Sequence, residues 1–397
     1  MMKKNTVGRG LLLLLITGAI GYGVGFGLDS VITGNAPKLA GSVPSAFALL
    51  FAVSAFFFGL FGYRGITRGL IWQVAGTLAG ALLVTGMRAV TGLTGNDLIK
   101  TDFFFSEPAW VFGALVGVIS FLAGVGVMDD WTNWARGIDT PDHHEDKPGW
   151  EKYFGVSLDH KVIGIQYTIT ALVLISVGGL FALIFRTELA HSGFQFLNPD
   201  PTKFNVFNQT GPQMYNTLMS LHGMIMIVSI LLGVSGIINY VVPLLVGAHD
   251  MAFPRMNAFA FWLAVPAAVL LLMSMVLGGF DTGWTGYPPL SSRAPVGVQM
   301  FFLGVFTAGW SSILGALNVI ATVIRMRAKG MTAMRMPIFV WAAVATSIIA
   351  LTATQLIGLS FQLVMFQRLL GMGFFDPAKG GNPVLFQHLF WFYSHPA

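Results

Sequence analysis

The sequence predicts an all-α protein, a polytopic bundle of transmembrane helices with about nine complete spans and the start of a tenth. Of the 397 residues, 55% are hydrophobic and 10% are charged, and the mean hydropathy is +0.72. A soluble domain carries roughly a quarter charged residues, so this chain has too few to cover a surface that faces water. Apolar runs of about 20 residues separated by polar loops complete the prediction.

These runs predict the spans in chain order: 10–28, 43–62, 69–90, 108–128, 163–185, 216–238, 258–279, 298–323, 338–361 and a shorter run from 384. The first run follows a basic head, "MMKKNTVGRG", which is also the plan of a secretory signal. No clear small-x-small cleavage site closes it, so we interpret it as an uncleaved anchor, with cleavage as the alternative. The last run contains 14 residues, and we interpret its end as a truncation, a break or a split subunit.

The cations predict the orientation of the chain. Lys and Arg favour short cytoplasmic loops, and the N-terminus inside the cell gives inner loops that contain Lys3, Lys4, Arg9, Arg64, Arg68, Arg255, Arg325, Arg327, Lys329 and Arg335. The net charge of +5 is spread over these loops and forms no continuous stripe, which does not favour a nucleic-acid partner. Cysteine is absent, so any metal must use His, carboxylate or Met.

A polar insert divides the chain into three predicted parts: a membrane module of four helices at 1–128, a linker at 129–158, and a second membrane module at 159–397. The linker contains "DHHED", with His143 and His144 beside Glu145 and Asp146. Adjacent residues of an extended chain point apart, and no second pair follows at ligand spacing. A solvated linker is therefore favoured over a metal site.

The second module resembles subunit I of the haem–copper respiratory oxidases, the cytochrome c and quinol oxidases. Eight blocks carry the resemblance in the family's order: "DHKVIGIQY", "FRTEL", "LHGMIMIV", "NYVVPLLVGAHDMAFPRMN", "FWLAVPA", "GWTGYPPLSS", "SSILGALN" and "FFDPAKGGNPVLFQHLFWFYSHP". The resemblance covers the first six helices of that family and leaves the first module without a family. It implies a bacterial or other prokaryotic protein of the cytoplasmic membrane.

His222 matches the family's axial ligand to the iron of the low-spin haem, which in many members is haem a. A lone His in a membrane helix would more often be a buried residue bonded to a neighbouring carbonyl. Arg186 matches an Arg that hydrogen-bonds a substituent of the same haem, and Glu188 matches a position near an outer cation site. Arg186 at a helix end is otherwise expected to extend to the headgroups.

Asp250 matches the mouth of the family's proton path. By itself, a loop Asp is usually only solvated. The resemblance implies that this carboxylate collects protons at the inner face and that nearby polar side chains continue the path: Asn239, Asn257, Ser311, Ser312 and Asn318. Small hydroxyls in membrane helices often bond to their own backbone, which is the alternative for the two serines.

Trp284 and Tyr287 match a block that the family packs over the haem propionates. Both are otherwise expected to be ordinary interfacial aromatics. Gly286 between them departs from the family, which usually has Val or another side chain there.

His395 matches the first of three His ligands to the active-site copper, and Trp391 packs against that site in the family. Imidazole suits copper. Pro396 predicts a bend in this helix, since it leaves the carbonyl of Phe392 without a helical partner. The commonest pattern has Gly before this His and Glu after the Pro, whereas this sequence has Tyr393, Ser394 and Ala397. In the resemblance, the hydroxyls of Tyr393 and Ser394 stand in for the missing carboxylate. This pair resembles a sublineage in which these hydroxyls relay protons.

The resemblance implies the catalytic subunit of a proton-pumping oxidase that reduces O2 to water and contains a low-spin haem, a high-spin haem and copper. The implied partners are the membrane, other oxidase subunits including an electron-entry subunit, a chain or segment supplying the later helices, and cytochrome c or another donor. A nitric oxide reductase is one alternative, against which the "DMAFPRMN" block argues. A non-catalytic membrane scaffold is the other.

Overall fold

The computed structural model describes residues 11–23, 48, 52, 54–56, 58, 62–91, 106–140, 149–193, 197, 200, 205 and 209–395. The main helices within these ranges are α1 (Leu11–Gly23), α2 (Gly65–Val90), α3 (Glu107–Val125), α4 (His160–Glu188), α5 (Gly211–Val246), α6 (Pro254–Val276), α7 (Gly297–Arg325), α8 (Ile338–Leu370) and α9 (Pro383–Ser394). The described residues contain no strand, so the predicted all-helical class is confirmed.

Seven of these helices, α2 to α8, are long and apolar enough to cross a membrane. They correspond to the third to ninth predicted spans. The first predicted span is described only over α1, and most of the second, 43–62, lies outside the described residues.

Helix α5 is longer than the predicted span 216–238, because it continues through Pro243 to Val246. Val242 and Val246 are buried against Val319 of α7 and Val340 of α8, so packing sustains the helix beyond the predicted membrane segment. At its start, Thr210 and Gln213 form a reciprocal capping box, and Gly247 ends it with φ +73°.

The helices pack as neighbours in sequence and then close into one bundle. Helix α4 packs on α5, α7 packs on both α6 and α8, and α9 packs on α8. Helices α2 and α3 form a hairpin in which the two helix backbones pack closely together. A Cβ on Gly80 of α2 would lie 3.0 Å from the Cα of Gly113 on α3. The hairpin joins the rest of the bundle because α3 packs against α6 and α7.

An aromatic cluster holds α9 in place. The rings of Phe302 on α7 and Phe361 on α8 stack at 4.5 Å, and Phe361 lies 6.0 Å from Phe386 and 5.9 Å from Phe390 on α9. All four of these side chains are fully buried. This packing positions the last turn of α9, where the predicted copper ligand and hydroxyl relay lie.

Candidate functional site

His222 lies on α5 and is half-buried against α4. Its Nδ1 atom is 2.9 Å from the carbonyl oxygen of Gly178, and its ring packs edge-on against Phe185 at 5.5 Å. A carbonyl can only accept a hydrogen bond, so Nδ1 carries the proton and Nε2 keeps its lone pair. This is the tautomer that a haem iron requires, and the residue fits the predicted axial ligand.

Arg186 lies one residue after Phe185, near the end of α4, and is exposed. The Arg186 side chain therefore starts from the same end of α4 as the Phe185 ring, which packs on His222. Glu188, two residues on, is buried and accepts a hydrogen bond from the Leu197 N–H at 3.1 Å. Arg186 has the exposure and the donors to bind a haem substituent, whereas Glu188, the last residue of α4, binds the backbone of Leu197.

Asp250 lies in the loop between α5 and α6 and is buried, with 7% of its surface exposed. One carboxylate oxygen accepts a hydrogen bond from the Met251 N–H at 2.6 Å. Burial raises the pKa of this carboxyl above its ordinary value, and the bond from Met251 opposes the increase only in part. The loop therefore offers a carboxyl group that holds a proton more readily than an exposed Asp does.

His160, the first residue of α4, lies beside this loop and was not among the residues predicted individually. It is fully buried, and its Nδ1 atom is 2.9 Å from the carbonyl oxygen of Asn239. Its Nε2 atom has no hydrogen-bond partner among the described residues. The sequence feature that could have indicated His160 is its place in the "DHKVIGIQY" block, where an ionisable residue begins an apolar helix.

Asn239 and Asn257 are both buried and carry unpaired polar atoms. The Oδ1 of Asn239 and both side-chain polar atoms of Asn257 have no protein partner within the part of the chain that the structure describes. Buried polar atoms of this kind are normally bonded to ordered water. These two amides therefore fit the predicted task of ordering water above Asp250.

Asn318 differs from them because both ends of its amide are bonded. Its Oδ1 accepts from the Phe253 N–H at 2.9 Å, and its Nδ2 donates to the Phe253 carbonyl at 3.1 Å. Thr322, one turn later, accepts from the Ala252 N–H at 2.9 Å. In this geometry Asn318 and Thr322 hold the loop that follows Asp250.

Ser311 and Ser312 lie in the middle of α7, between the Asp250 loop and α9. The Oγ of Ser311 lies 3.4 Å from the hydroxyl of Tyr167, a buried residue to which the resemblance gives no role. Ser312 lines two neighbouring cavities of about 130 and 270 Å³.

The two cavities share part of their lining: Leu231, Ser312, Thr354 and Tyr393. The smaller one also reaches Asn239 and Tyr167, and the larger one reaches Ser394 and Trp284. The Oγ of Ser394 is buried without a partner among the described residues. The structure thus places the predicted Asn239, Ser312, Tyr393 and Ser394 in the lining of two adjacent cavities.

Trp284, Tyr287 and Trp391 meet where the loop before α7 contacts α9. The Nε1 of Trp391 donates to the Tyr287 hydroxyl, and the Trp284 ring lies 6.0 Å from that of Trp391. Trp284 also packs on α5, because a Cβ on Gly223 would lie 3.3 Å from its side chain. Since Gly223 follows His222, this aromatic group lies next to the predicted haem ligand.

His395 follows α9, is exposed, and donates its backbone N–H to the Trp391 carbonyl at 3.1 Å. The described residues contain no group of three or more His, Cys, Asp or Glu side chains that could hold a metal ion. His395 thus fits one ligand of a copper site but not a complete one. The bend predicted at Pro396 falls outside the described residues.

The described helices form a bundle that is long and apolar enough to cross a membrane, which defines the class of polytopic helical membrane proteins. Residues 162–397 match the family described as cytochrome c and quinol oxidase polypeptide I, and the chain belongs to this family. The match begins within three residues of the predicted start of the second module at 159.

Curated relatives agree with this assignment. The chain is 44% identical over 266 residues to cytochrome c oxidase subunit 1 of Thermostichus vulcanus, a match that covers 66% of this chain and 46% of the relative. It is 45% identical over 250 residues to cytochrome c oxidase subunit 1 of Synechocystis sp., covering 62% and 43%. A probable cytochrome c oxidase subunit 1-beta of Nocardia farcinica is 39% identical over 262 residues, covering 64% and 42%. The chain spans less than half the length of these relatives.

Proposed function

We propose that this chain forms part of the catalytic subunit of a proton-pumping terminal oxidase that reduces O2 to water. Family membership and the names of the similar proteins support this reaction class. The further ligands of the copper and of both haems would come from later helices or from a neighbouring chain.

The observation that carries the proposal is the row of buried polar groups between the Asp250 loop and α9. The row includes the unpaired side-chain atoms of Asn239 and Asn257 and the Tyr167–Ser311 contact. Two adjacent cavities, both lined by Ser312 and Tyr393, lie along it. Buried groups without protein partners are costly unless water or a transferred proton uses them. A route for proton transfer would account for these unpaired buried groups.

Asp250 would take a proton at the start of the route. Its raised pKa lets it hold that proton closer to neutral pH than an exposed Asp, and His160 lies beside it with one ring nitrogen unpaired. Asn239 and Asn257 would order water above it. At the far end, the hydroxyls of Tyr393 and Ser394 would pass a proton through water without holding a charge themselves.

At the haem side, His222 would bind the low-spin haem iron through Nε2, and Arg186 would hydrogen-bond a substituent of that haem. His395 would contribute one ligand to copper, with Trp391 packed beside it. When bound, the haems and copper supply one-electron transfer and O2 binding. The packing of Trp284 on Gly223 and Trp391 would keep water away from this region.

The chain is an integral membrane protein. We further propose that it lies in a prokaryotic cytoplasmic membrane with its N-terminus in the cytoplasm, as the Lys and Arg distribution indicates. Its partners would be the other oxidase subunits, including one that receives electrons from cytochrome c or another donor.

Reduced-minus-oxidised spectra of the purified complex test this function. We expect low-spin haem bands in the native protein and their loss in His222→Ala. O2 consumption with proton release into the medium supports the oxidase, whereas turnover of nitric oxide alone would indicate the reductase. A complex that lacks haem with His222 intact would indicate the scaffold.

A further inference from the structure

The α2–α3 hairpin lies outside the family match but is joined to the oxidase part at both ends of α3. Helix α3 contains 19 residues, which corresponds to about 28 Å and approaches the roughly 30 Å thickness of the hydrocarbon core. In between, Phe121 packs on Trp262 of α6 at 6.1 Å. The two junctions are chemically different and reach different parts of the predicted machinery.

At the start of α3, Glu107 binds Arg368 of α8 through both carboxylate oxygens. The Nε and Nη2 atoms of Arg368 donate at 2.6 and 2.9 Å, and Gln299 at the start of α7 donates to the same carboxylate. The remaining Nη1 of Arg368 donates to the carbonyls of Ser291 and Ala294 at 2.8 and 2.7 Å. Only 8% of the Arg368 side chain and 24% of the Glu107 side chain are exposed, so the guanidinium is largely shielded from water and salt.

The segment bound by Arg368 continues directly from the aromatic loop of the candidate site. The Ser291 N–H donates to the Tyr287 carbonyl at 3.1 Å, and the Tyr287 hydroxyl accepts from Trp391. Glu107 is therefore connected to the Trp284–Tyr287 loop through a single arginine. Removing the carboxylate would leave a buried guanidinium without its anion, which is far more costly than losing a surface pair.

Just beyond the other end of α3, Asp130 binds Arg255 in the first turn of α6. The Nε of Arg255 donates at 2.6 Å, its Nη2 donates to Thr140 at 3.2 Å, and its guanidinium lies 4.7 Å from the ring of Trp134. Trp131 packs on Phe259 at 4.9 Å. Arg255 is the second residue of α6 and lies two residues after the loop 247–253, so this junction fixes one end of the segment that holds Asp250.

We infer that the α2–α3 hairpin and residues 129–140 act as a built-in accessory module, in which Glu107 positions the aromatic loop and Asp130 positions the proton-entry loop. Both are positioning residues, because each acts through an arginine of the oxidase part. The roles of the two loops rest on the proposed function, but the mechanical connections do not. Each carboxylate should affect its own loop and leave the distant loop unchanged.

Hydrogen–deuterium exchange on the purified complex tests the two connections without any assay of activity. In Glu107→Gln, amides of 287–297 should exchange faster while those of 247–257 keep their native rates. In Asp130→Asn the pattern should reverse. Asp129→Asn is the matched control, because it removes a neighbouring exposed carboxylate and should change neither segment.

Two functional readouts complete the test. Glu107→Gln should shift or broaden the low-spin haem band, whereas Asp130→Asn should keep that band and reduce turnover mainly on the alkaline side, where protons are scarce. If Glu107→Gln does not assemble, Glu107→Asp keeps the charge, withdraws it by one methylene and should give a smaller change in the same segment.

Native exchange rates in both variants, or equal acceleration of both loops in either variant, would overturn the inference. Local acceleration without haem or O2 turnover in the native complex would leave the module's positioning role standing and refute the proposed oxidase. The two failures are therefore distinguishable.

Discussion

The Nδ1 atom of His222 on α5 lies 2.9 Å from the carbonyl oxygen of Gly178 on α4. This contact decides which ring nitrogen can bind a metal, and it depends on close approach of the two helices. Gly178 permits that approach, because a Cβ there would lie 3.0 Å from the sulfur of Met226 and 3.3 Å from Ile225.

Gly178→Val should separate α4 from α5 and weaken the bond that orients His222. We expect overpacking to cost about 1–3 kcal/mol of stability and to broaden or weaken the low-spin haem band. Gly179→Val is the matched control, because a Cβ at Gly179 meets no atom within 4 Å. Visible spectra and thermal stability of both variants check the prediction, and equal spectra would contradict it.

Asp250→Asn should slow steady-state turnover and reduce proton pumping while leaving the haem spectrum intact. The amide keeps the shape of the side chain and can accept from the Met251 N–H, but it cannot take up and release the proton. Proton release by vesicles that contain the complex, measured after pulses of O2, gives the result. Native pumping in this variant would remove Asp250 from the path.

The same substitution predicts a pH dependence of stability. Burial raises the pKa of Asp250 in the folded protein, so between its unfolded pKa of about 4 and that higher value the folded state binds more protons than the unfolded state. The stability of the native protein relative to Asp250→Asn should therefore fall as pH rises through this window. Thermal denaturation of both proteins across pH measures the difference, and a constant difference would show that burial does not shift this pKa.

Tyr393→Phe should remove the hydroxyl of a residue that lines both cavities and retain the ring. We expect turnover to fall by about tenfold or more, since positioned proton-transfer groups commonly contribute at least this much. Tyr240→Phe, which removes a hydroxyl from a residue of α5 that is 38% exposed, should be close to native. Stopped-flow kinetics of proton uptake compare the two, and equal rates would exclude a relay through Tyr393.

Gly286→Val should destabilise this protein even though the resemblance implies Val or another side chain at this position. The backbone φ is +60°, and a Cβ would lie 2.8 Å from the Phe302 ring. Together the strain and the clash should cost about 2–4 kcal/mol. Gly283→Val is the matched control, because Gly283 also has a positive φ, +66°, but a Cβ there would meet no atom within 4 Å. The difference in thermal stability between the two variants therefore measures the cost of the clash with Phe302. Equal losses would show that Phe302 moves freely.

Much of the fold followed from local sequence properties. Long apolar runs fixed the seven described spans near their observed places, because the cost of exposing an unpaired backbone to lipid leaves little alternative to a helix. Helix ends were less predictable. α5 extends through Pro243 because Val242 and Val246 find partners on α7 and α8, which no local pattern indicates.

The motif resemblance also named most of the residues of the candidate site, whose roles stay predictions. It did not distinguish the hydrogen bonding of similar amides. The side-chain atoms of Asn257 have no partner among the described residues, whereas both ends of the Asn318 amide bond the Phe253 backbone. His160 and Tyr167 were missed as individual residues because their burial beside Asn239 and Ser311 arises only when α4 packs on its neighbours.

The sequence by itself determined that this is a helical membrane protein, which family its second module belongs to, and which residue types are available for haem, copper and protons. These properties depend on composition and on ordered motifs within single segments. The tertiary structure decided the tautomer of His222, the shared cavities and the attachment of α3 through Glu107 and Asp130. Each of these joins residues from different helices, and hydrogen bonds of about 3 Å form only once packing has brought those helices together.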